Sequence, residues 1–336
     1  MDGSKKLLLL FGMPRSGTTW FGKVFDSHTE VIYKHEPDSM KRMDDIIPLF
    51  PDISRQSEYE LDVNQYVAQM LRLNSVRISG KFPIFRKQGQ TEFSYQTQKT
   101  YILARKTLDR LLKQESVWKS DVNIHNNRTY VWKSIESTGR MGVLLGCIPN
   151  SKGILIVRHP CGYIASVIRG QSKGKFTEKS KSETDWGYYE LLSNSPLAEK
   201  YQLCMESFRN MRPDERLAWR WALVNEKAYN DILNLENGMP VRYEDLCENP
   251  LDEYKKLFRF SGLSWDCQSE EFLNASILGN SSNYYSVFKN PMHSAGKWKQ
   301  ELEKSEVDRI LSIVQKTEIG SWYFSGMEGK QDPSSQ

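Results

Sequence analysis

The sequence predicts an α/β fold: a parallel β-sheet of about four to five strands flanked by helices. Three observations predict it. Short apolar runs of strand length stand at Leu7–Phe11, Glu30–Tyr33, Thr129–Lys133, Gly153–Val157 and Met239–Tyr243. Gly153–Val157 is continuous and branched, as in a strand buried on both faces. Segments with apolar residues at helical spacing separate the runs, as βαβ winding requires. The first run also leads through a Gly-bounded loop directly into a helix.

That loop is Gly12-Met13-Pro14-Arg15-Ser16-Gly17. Thr18 and Thr19 then open a segment in which Trp20, Phe21, Val24 and Phe25 recur at helical spacing. In this layout backbone N–H groups and a helix dipole point at an anion. Gly12, Gly17 and Thr19 keep the spacing of the nucleotide loop G-x-x-x-x-G-K-[ST]. Thr18, however, stands where the lysine would be, and the cation, Arg15, lies inside the loop. The departure argues against an ordinary ATP or GTP enzyme. The plainer alternative is a strand–turn–helix that binds nothing.

The second run, Glu30–Tyr33, leads into Lys34-His35-Glu36. Ligands sit at the carboxyl ends of parallel strands, so a carboxylate there faces the loop carrying Arg15. Glu36 is that carboxylate, a candidate for acid–base work. His35 is its rival, because imidazole titrates nearer neutrality unaided. Glu58–Leu73 and Tyr95–Glu115 show helical periodicity, and Val76–Phe82 between them reads as a turn or short strand. Lys133 closes the third run. Met141–Pro149 reads as a short helix. Arg158 stands at the carboxyl end of Gly153–Val157, with Pro160 suited to a following helix start and Ser166 eight residues on. Gln171–Asp185 is polar and reads as a surface loop. Asp214–Leu235, Leu251–Ser261 and Glu303–Gln315 read as helices, and Gly326–Gln336 as a polar tail.

Length and composition bound the rest. The 336 residues suit one large α/β domain or two small ones. A net charge of +4 suits an anionic ligand but demands neither nucleic acid nor a membrane surface. Cys147, Cys161, Cys204, Cys247 and Cys267 are scattered and odd in number, which suggests neither a metal site nor a disulfide framework and favours a reducing, cytoplasmic home. The leucines after Lys5-Lys6 are too few to span a membrane and run straight into the loop, so no targeting segment is read.

The stretch PRSGTTW resembles the 5′-phosphosulfate loop of sulfotransferases that use 3′-phosphoadenosine 5′-phosphosulfate (PAPS). Three later stretches resemble the same family in order: ILIVRHP with Ser166, VRYEDL with its following Asn-Pro, and SAGKWK. The resemblance implies a P-loop-like sulfotransferase fold over 1–325, with 39–128 as a variable, mostly helical acceptor-side insert and 326–336 as a tail. It implies that Arg15, Ser16, Gly17, Thr18 and Thr19 hold the 5′-phosphosulfate, and that Arg158 and Ser166 hold the 3′-phosphate. Tyr243 is implied at the adenine, and Trp20 either there or in the core. Ser294, Gly296 and Lys297 are implied to fold over the nucleotide, with Lys299 and Lys289 as further phosphate contacts.

Tyrosylprotein, bacterial and carbohydrate members carry a glutamate base after the second strand, and Asp26, His28, Val31 and Glu36 match that stretch. Cytosolic members instead have a K-T-H motif. Here Lys133 matches its lysine, but Ile135 stands at the histidine, which strengthens Glu36. The expected reaction is sulfuryl transfer from PAPS, without a metal, to a hydroxyl or amine of a small acceptor. The alternatives are a P-loop small-molecule kinase and a catalytically silent nucleotide-binding protein.

Overall fold

The computed structural model describes residues 6–119, 128–172, 182–279, 287–288 and 290–325. Its centre is a five-stranded sheet. The sheet strands are β1 (Lys6–Phe11), β2 (Val31–His35), β5 (Thr129–Ser134), β6 (Ser151–Val157) and β7 (Gly238–Arg242); β3 (Leu73–Ser75) and β4 (Val117–Lys119) form a separate antiparallel ribbon. The sheet order is β2-β5-β1-β6-β7, and every pairing is parallel. All five expected strands are present, with ends shifted by one or two residues.

Alternation explains why β1 can be apolar throughout. Successive side chains point to opposite faces. Leu7, Leu9 and Phe11 join Trp132, Leu155 and Val157 on one face, under the helices α2 (Gln56–Arg72) and α5 (Met141–Cys147) and the long Pro213–Ile232 helix. Leu8 and Leu10 join Val131, Ile154 and Ile156 on the other, against α1 (Thr18–Ser27) and the Pro250–Ser261 and Cys267–Leu278 helices. Emptying such a doubly buried position, as in Leu9→Ala, costs about 2–5 kcal/mol.

The winding decides where a ligand can sit. The chain leaves β1 for the far edge, returns through β5, crosses to β6 and continues outward to β7. That reversal opens a crevice at the carboxyl ends of the central strands. The same ends carry the loop after β1, Glu36 after β2, Lys133 in β5 and Arg158 after β6.

The insert departs from expectation. Val76–Phe82 is neither turn nor strand at its start: Val76–Ser79 is a short helix, α3, because Ser75 Oγ accepts the Ile78 N–H and caps it. The preceding three residues pair with Val117–Lys119, a ribbon too short to leave a periodic signal. The second long insert helix, α4, runs over Glu92–Leu112. A last helix at Glu318–Ser325 also goes beyond the sequence reading. The helix after β6, α6 (Pro160–Ser172), takes in the start of the expected polar loop, most of which lies outside the described residues, as does the tail from 326 on.

Candidate functional site

The loop after β1 turns through two left-handed residues, Arg15 at φ 73° and Gly17 at φ 81°. Gly17 is required twice over. Its φ favours glycine, and a Cβ there would lie 2.3 Å from the Tyr243 ring. The turn closes with Ser16 N–H on Met13 O at 3.2 Å, and α1 begins with Phe21 N–H on Gly17 O at 3.1 Å. Ser16 is fully buried, and its Oγ has no hydrogen-bond partner among the described residues. Thr18 is buried and Thr19 half-buried at the first turn of α1. Trp20 is packed edge-on against Tyr243 and Tyr254, and its indole N–H donates to Ser276 Oγ at 2.9 Å.

The structure brings residues 143 and 151 positions apart against this loop. Arg15 Nε donates to Ser166 Oγ at 3.1 Å. Arg158 donates through Nη1 to Arg15 O at 2.9 Å and through Nη2 to Ser294 O at 2.6 Å. Its guanidinium carbon lies 5.1 Å from the Tyr243 ring centre, and its buried Nε has no partner among the described residues. Arg158 thus ties the loop to the Pro291–Gly296 helix.

A second tie holds the same segment. Trp298 stacks on His159 with ring centres 4.6 Å apart and planes 8° from parallel. Burial, helped by Arg158, pushes the His159 imidazole down to about 3, so it stacks as a neutral ring. Gly296 is open to solvent, Lys297 Nζ lies 3.6 Å from Glu301, and Lys299 lies over Trp298. Lys289 falls outside the described residues.

Glu36 and Lys133 meet because their strands are neighbours. His35 pairs with Lys133 in register, and Glu36 N–H then donates to Lys133 O at 2.8 Å. Glu36 takes the left-handed conformation, φ 48°, and its Oε1 accepts a short charge-assisted bond from Lys133 Nζ. Arg77 Nη2 reaches Oε2 at 3.5 Å from α3. Burial alone would raise the Glu36 carboxyl. Lys133 first, with Arg77 beyond it, outweighs burial and holds the carboxyl down at about 2. Burial presses equally on the Lys133 ammonium, and Glu36 opposes it. The charged pair is the form this geometry supports. His35 is held well below its ordinary value by burial and by Lys133, and its Nδ1 is bonded to Tyr33 Oη at 3.0 Å. It stands 3.8 Å from Glu36 Oε1 as a neutral neighbour.

Two further residues of this corner escaped the sequence reading. Asp38, buried two residues after Glu36, accepts from Ser134 Oγ, from Ser137 Oγ at 2.7 Å and from Trp132 Nε1 at 3.3 Å. It fixes the chain leaving β5, and its spacing from Glu36 was the available signal. Arg77 lies in the insert, where the sequence offered none. Two cavities open here. One of about 210 Å³ lies between Pro14, Asp38, Glu136, Tyr188 and Arg220. The other, about 390 Å³, lies beyond Arg77 between α3 and α4. Among the described residues no three His, Cys, Asp or Glu side chains gather as a metal-ligand set.

Comparison with known proteins finds one family throughout. A carbohydrate sulfotransferase 1 of Danio rerio is 27% identical over 139 residues, covering 33% of this chain and 32% of that protein. The match thus spans about a third of that curated relative's length. Among solved structures, the sulfotransferase domain from the curacin biosynthetic pathway is 16% identical, over 93% of this chain and 98% of that one, with a TM-score of 0.44. The mouse sulfotransferase SULT7A1 complexed with PAP is 11% identical, over 97% and 89%, with a TM-score of 0.46. The model of the sulfotransferase family matches residues 8–267, from β1 through β7 and beyond. The chain belongs to the sulfotransferase family.

Proposed function

We propose that this chain transfers the sulfuryl group of PAPS to a hydroxyl or amine of an acceptor, with Glu36 as general base. The observation that carries the reading is the meeting of Arg15, Arg158 and Ser166 across the carboxyl ends of β1 and β6. Buried Ser16 Oγ and Arg158 Nε, without partners among the described residues, suit a ligand rich in phosphate oxygens. Bound PAPS supplies a sulfuryl group on a phosphate leaving group.

Arg15, Ser16, Gly17, Thr18 and Thr19 hold the 5′-phosphosulfate through the cation, hydroxyls and backbone N–H groups. Arg158 and Ser166 hold the 3′-phosphate, Arg158 exchanging a carbonyl partner to do so. Tyr243, with Trp20 behind it, flanks the adenine. Ser294, Gly296 and Lys297 close over the nucleotide, on the segment that Trp298 docks. Residues 1–325 act as one domain, with 39–128 on the acceptor side.

Glu36 takes the acceptor's proton as the acceptor–sulfur bond forms. Lys133 and Arg15 meet the negative charge that develops on the phosphate oxygen as the sulfur–oxygen bond breaks. The ion pair between Glu36 and Lys133 gives these roles an order. When Lys133 turns towards the donor, Glu36 loses its nearest counter-charge. Burial then raises its carboxyl from about 2 towards the range where a base works at neutral pH. Geometry and electrostatics, rather than covalent catalysis, supply most of the acceleration.

The likeness to a carbohydrate sulfotransferase favours sugar hydroxyls among the acceptors. No helix of the described residues is long and apolar enough to cross a membrane. The five free cysteines, three of them buried, suit a reducing cytoplasmic compartment.

The test is calorimetric titration without magnesium, comparing 3′-phosphoadenosine 5′-phosphate (PAP) with ADP and ATP. PAP should bind at least about tenfold more tightly, a difference of about 1.4 kcal/mol assigned to the 3′-phosphate. Binding of ATP instead, and only with magnesium, would show a kinase loop and end this reading.

A further inference from the structure

The groove between α3 and α4 is reached from the candidate base through Arg77, which lines it and lies 3.5 Å from Glu36 Oε2. Its lining is strongly basic: Arg77, Lys81, Lys106 and Lys113, against the acids Asp109 and Glu115. Both acids accept from serines, Asp109 from Ser116 Oγ at 2.5 Å and Glu115 from Ser75 Oγ at 2.6 Å. Neither Lys106 nor Lys113 has a carboxylate partner among the described residues. Burial lowers the Lys81 ammonium; Glu36 opposes this as a counter-charge, while Lys133, Lys106 and Arg77 add to it as like charges. Four cations against two carboxylates leave the lining net positive, which favours an anion.

The groove is also built rather than incidental. The main chain of Lys81 and Pro83 is anchored from the first helix: buried Lys23 Nζ donates to Lys81 O at 2.5 Å and to Pro83 O at 2.8 Å. Asp26 holds Lys23 in place, and Lys87 Nζ bonds the same carboxylate at 3.1 Å. Lys106 lies over the Phe82 ring, 5.1 Å from its centre. The helix that follows the loop after β1 therefore also anchors the main chain beneath the groove.

The lining argues for one kind of occupant. No aromatic side chain lines the groove, and Val76 and Gly80 are its only apolar members. A tyrosine ring gains affinity mainly from apolar walls on its faces. A polyhydroxyl molecule instead bonds to the charged tips while its C–H faces rest on the apolar stems of the lysines and arginine, which make up most of the exposed wall. We propose that the groove binds an acidic sugar: an acceptor that offers one hydroxyl to Glu36 and a neighbouring carboxylate or sulfate to Arg77, Lys81, Lys106 and Lys113. This rests on the reading of Glu36 as the base facing the acceptor.

The test uses the full chain loaded with PAP, with PAP affinity measured in the same samples. Binding is compared for a hyaluronan hexasaccharide (carboxylates only), a chondroitin sulfate hexasaccharide (carboxylates and sulfates), neutral chitohexaose, and a glutamate-rich peptide containing one tyrosine. The acidic sugars should bind roughly tenfold or more above chitohexaose and above the peptide, weakening with salt. The two acidic sugars separate carboxylate from sulfate as the recognised group. Lys106→Glu with Lys113→Glu should weaken the acidic sugars roughly tenfold, since each removes an exposed charge and adds its opposite. Lys106→Arg with Lys113→Arg should retain them. Equal binding of neutral and acidic sugars, preference for the peptide, or no effect of the double reversal would overturn the proposal. Failure to bind PAP would instead overturn the PAPS reading itself.

Discussion

Ser16, Thr18, Arg158 and Ser166, on the proposed donor side, are all buried: in the loop after β1, in the first turn of α1, just after β6 and within α6. On the proposed acceptor side, the 21-residue helix α4 buries only Ile102 and exposes Phe93 at 82% and Leu111 at 75%. The donor side is held by main-chain register and by side chains bonded to main-chain carbonyls. The acceptor side is held by one short ribbon, a capped turn of helix and the buried Lys23 clamp. A nucleotide of fixed shape suits the first kind of construction. An exposed insert suits the second, where substitutions leave the core untouched.

The contrast can be broken most severely at the junction of the two sides. Glu36→Gln should lower kcat about 10²–10⁴-fold, the range for a lost general base, while PAP affinity stays unchanged. Single-turnover assays with PAPS check it. Full activity in that variant would pass the role to His35, with His35→Ala as the next test.

Arg158→Ala sharpens the donor side. It removes the bonds to Arg15 O and Ser294 O as well as the proposed phosphate contact. PAP binding should weaken by about 1.5–3 kcal/mol, the scale of a charge-assisted bond, and thermal unfolding should move down with it. Calorimetry and a melting curve read the two effects separately, and unchanged PAP affinity would remove Arg158 from the site.

Gly17→Ala strains a left-handed turn and drives a Cβ into Tyr243. A loss of about 1–3 kcal/mol in stability is expected, with weaker PAP binding, because the loop itself must shift. Denaturant titration checks it.

Acid titration reads the ion pair. Burial would raise Glu36, but Lys133 brings it from its ordinary 4.5 down to about 2. A carboxyl depressed in the folded state contributes stability above its unfolded pKa and loses it as pH falls through the folded value. The native chain should therefore lose stability faster than Glu36→Gln between about pH 4.5 and 2, as read by unfolding midpoints across that range. Parallel curves would show that the pair contributes nothing.

The smallest effect lies on the outer face of the insert. Leu111→Gln on α4 should change stability by no more than about 0.5 kcal/mol, because almost no apolar surface is lost there. A large drop in the melting temperature would mean that this face is covered by something in solution.

The five sheet strands, the loop after β1 and the placing of the candidate residues at strand ends were legible in the sequence because each has a local cause. Apolar runs are buried on two faces, Gly17 permits a positive φ, and Arg158 and Glu36 each sit at the end of a strand. Register and long-range contact were not legible. Nothing local brings Arg15 to Ser166 across 151 residues, or Lys133 to Glu36 across 97. Parallel pairing of β2 with β5, and of β1 with β6, decides both. Arg77 and the basic groove were hidden for a related reason. An exposed insert carries little periodic pattern, and a cluster of like charges drawn from two helices forms only once the chain has folded.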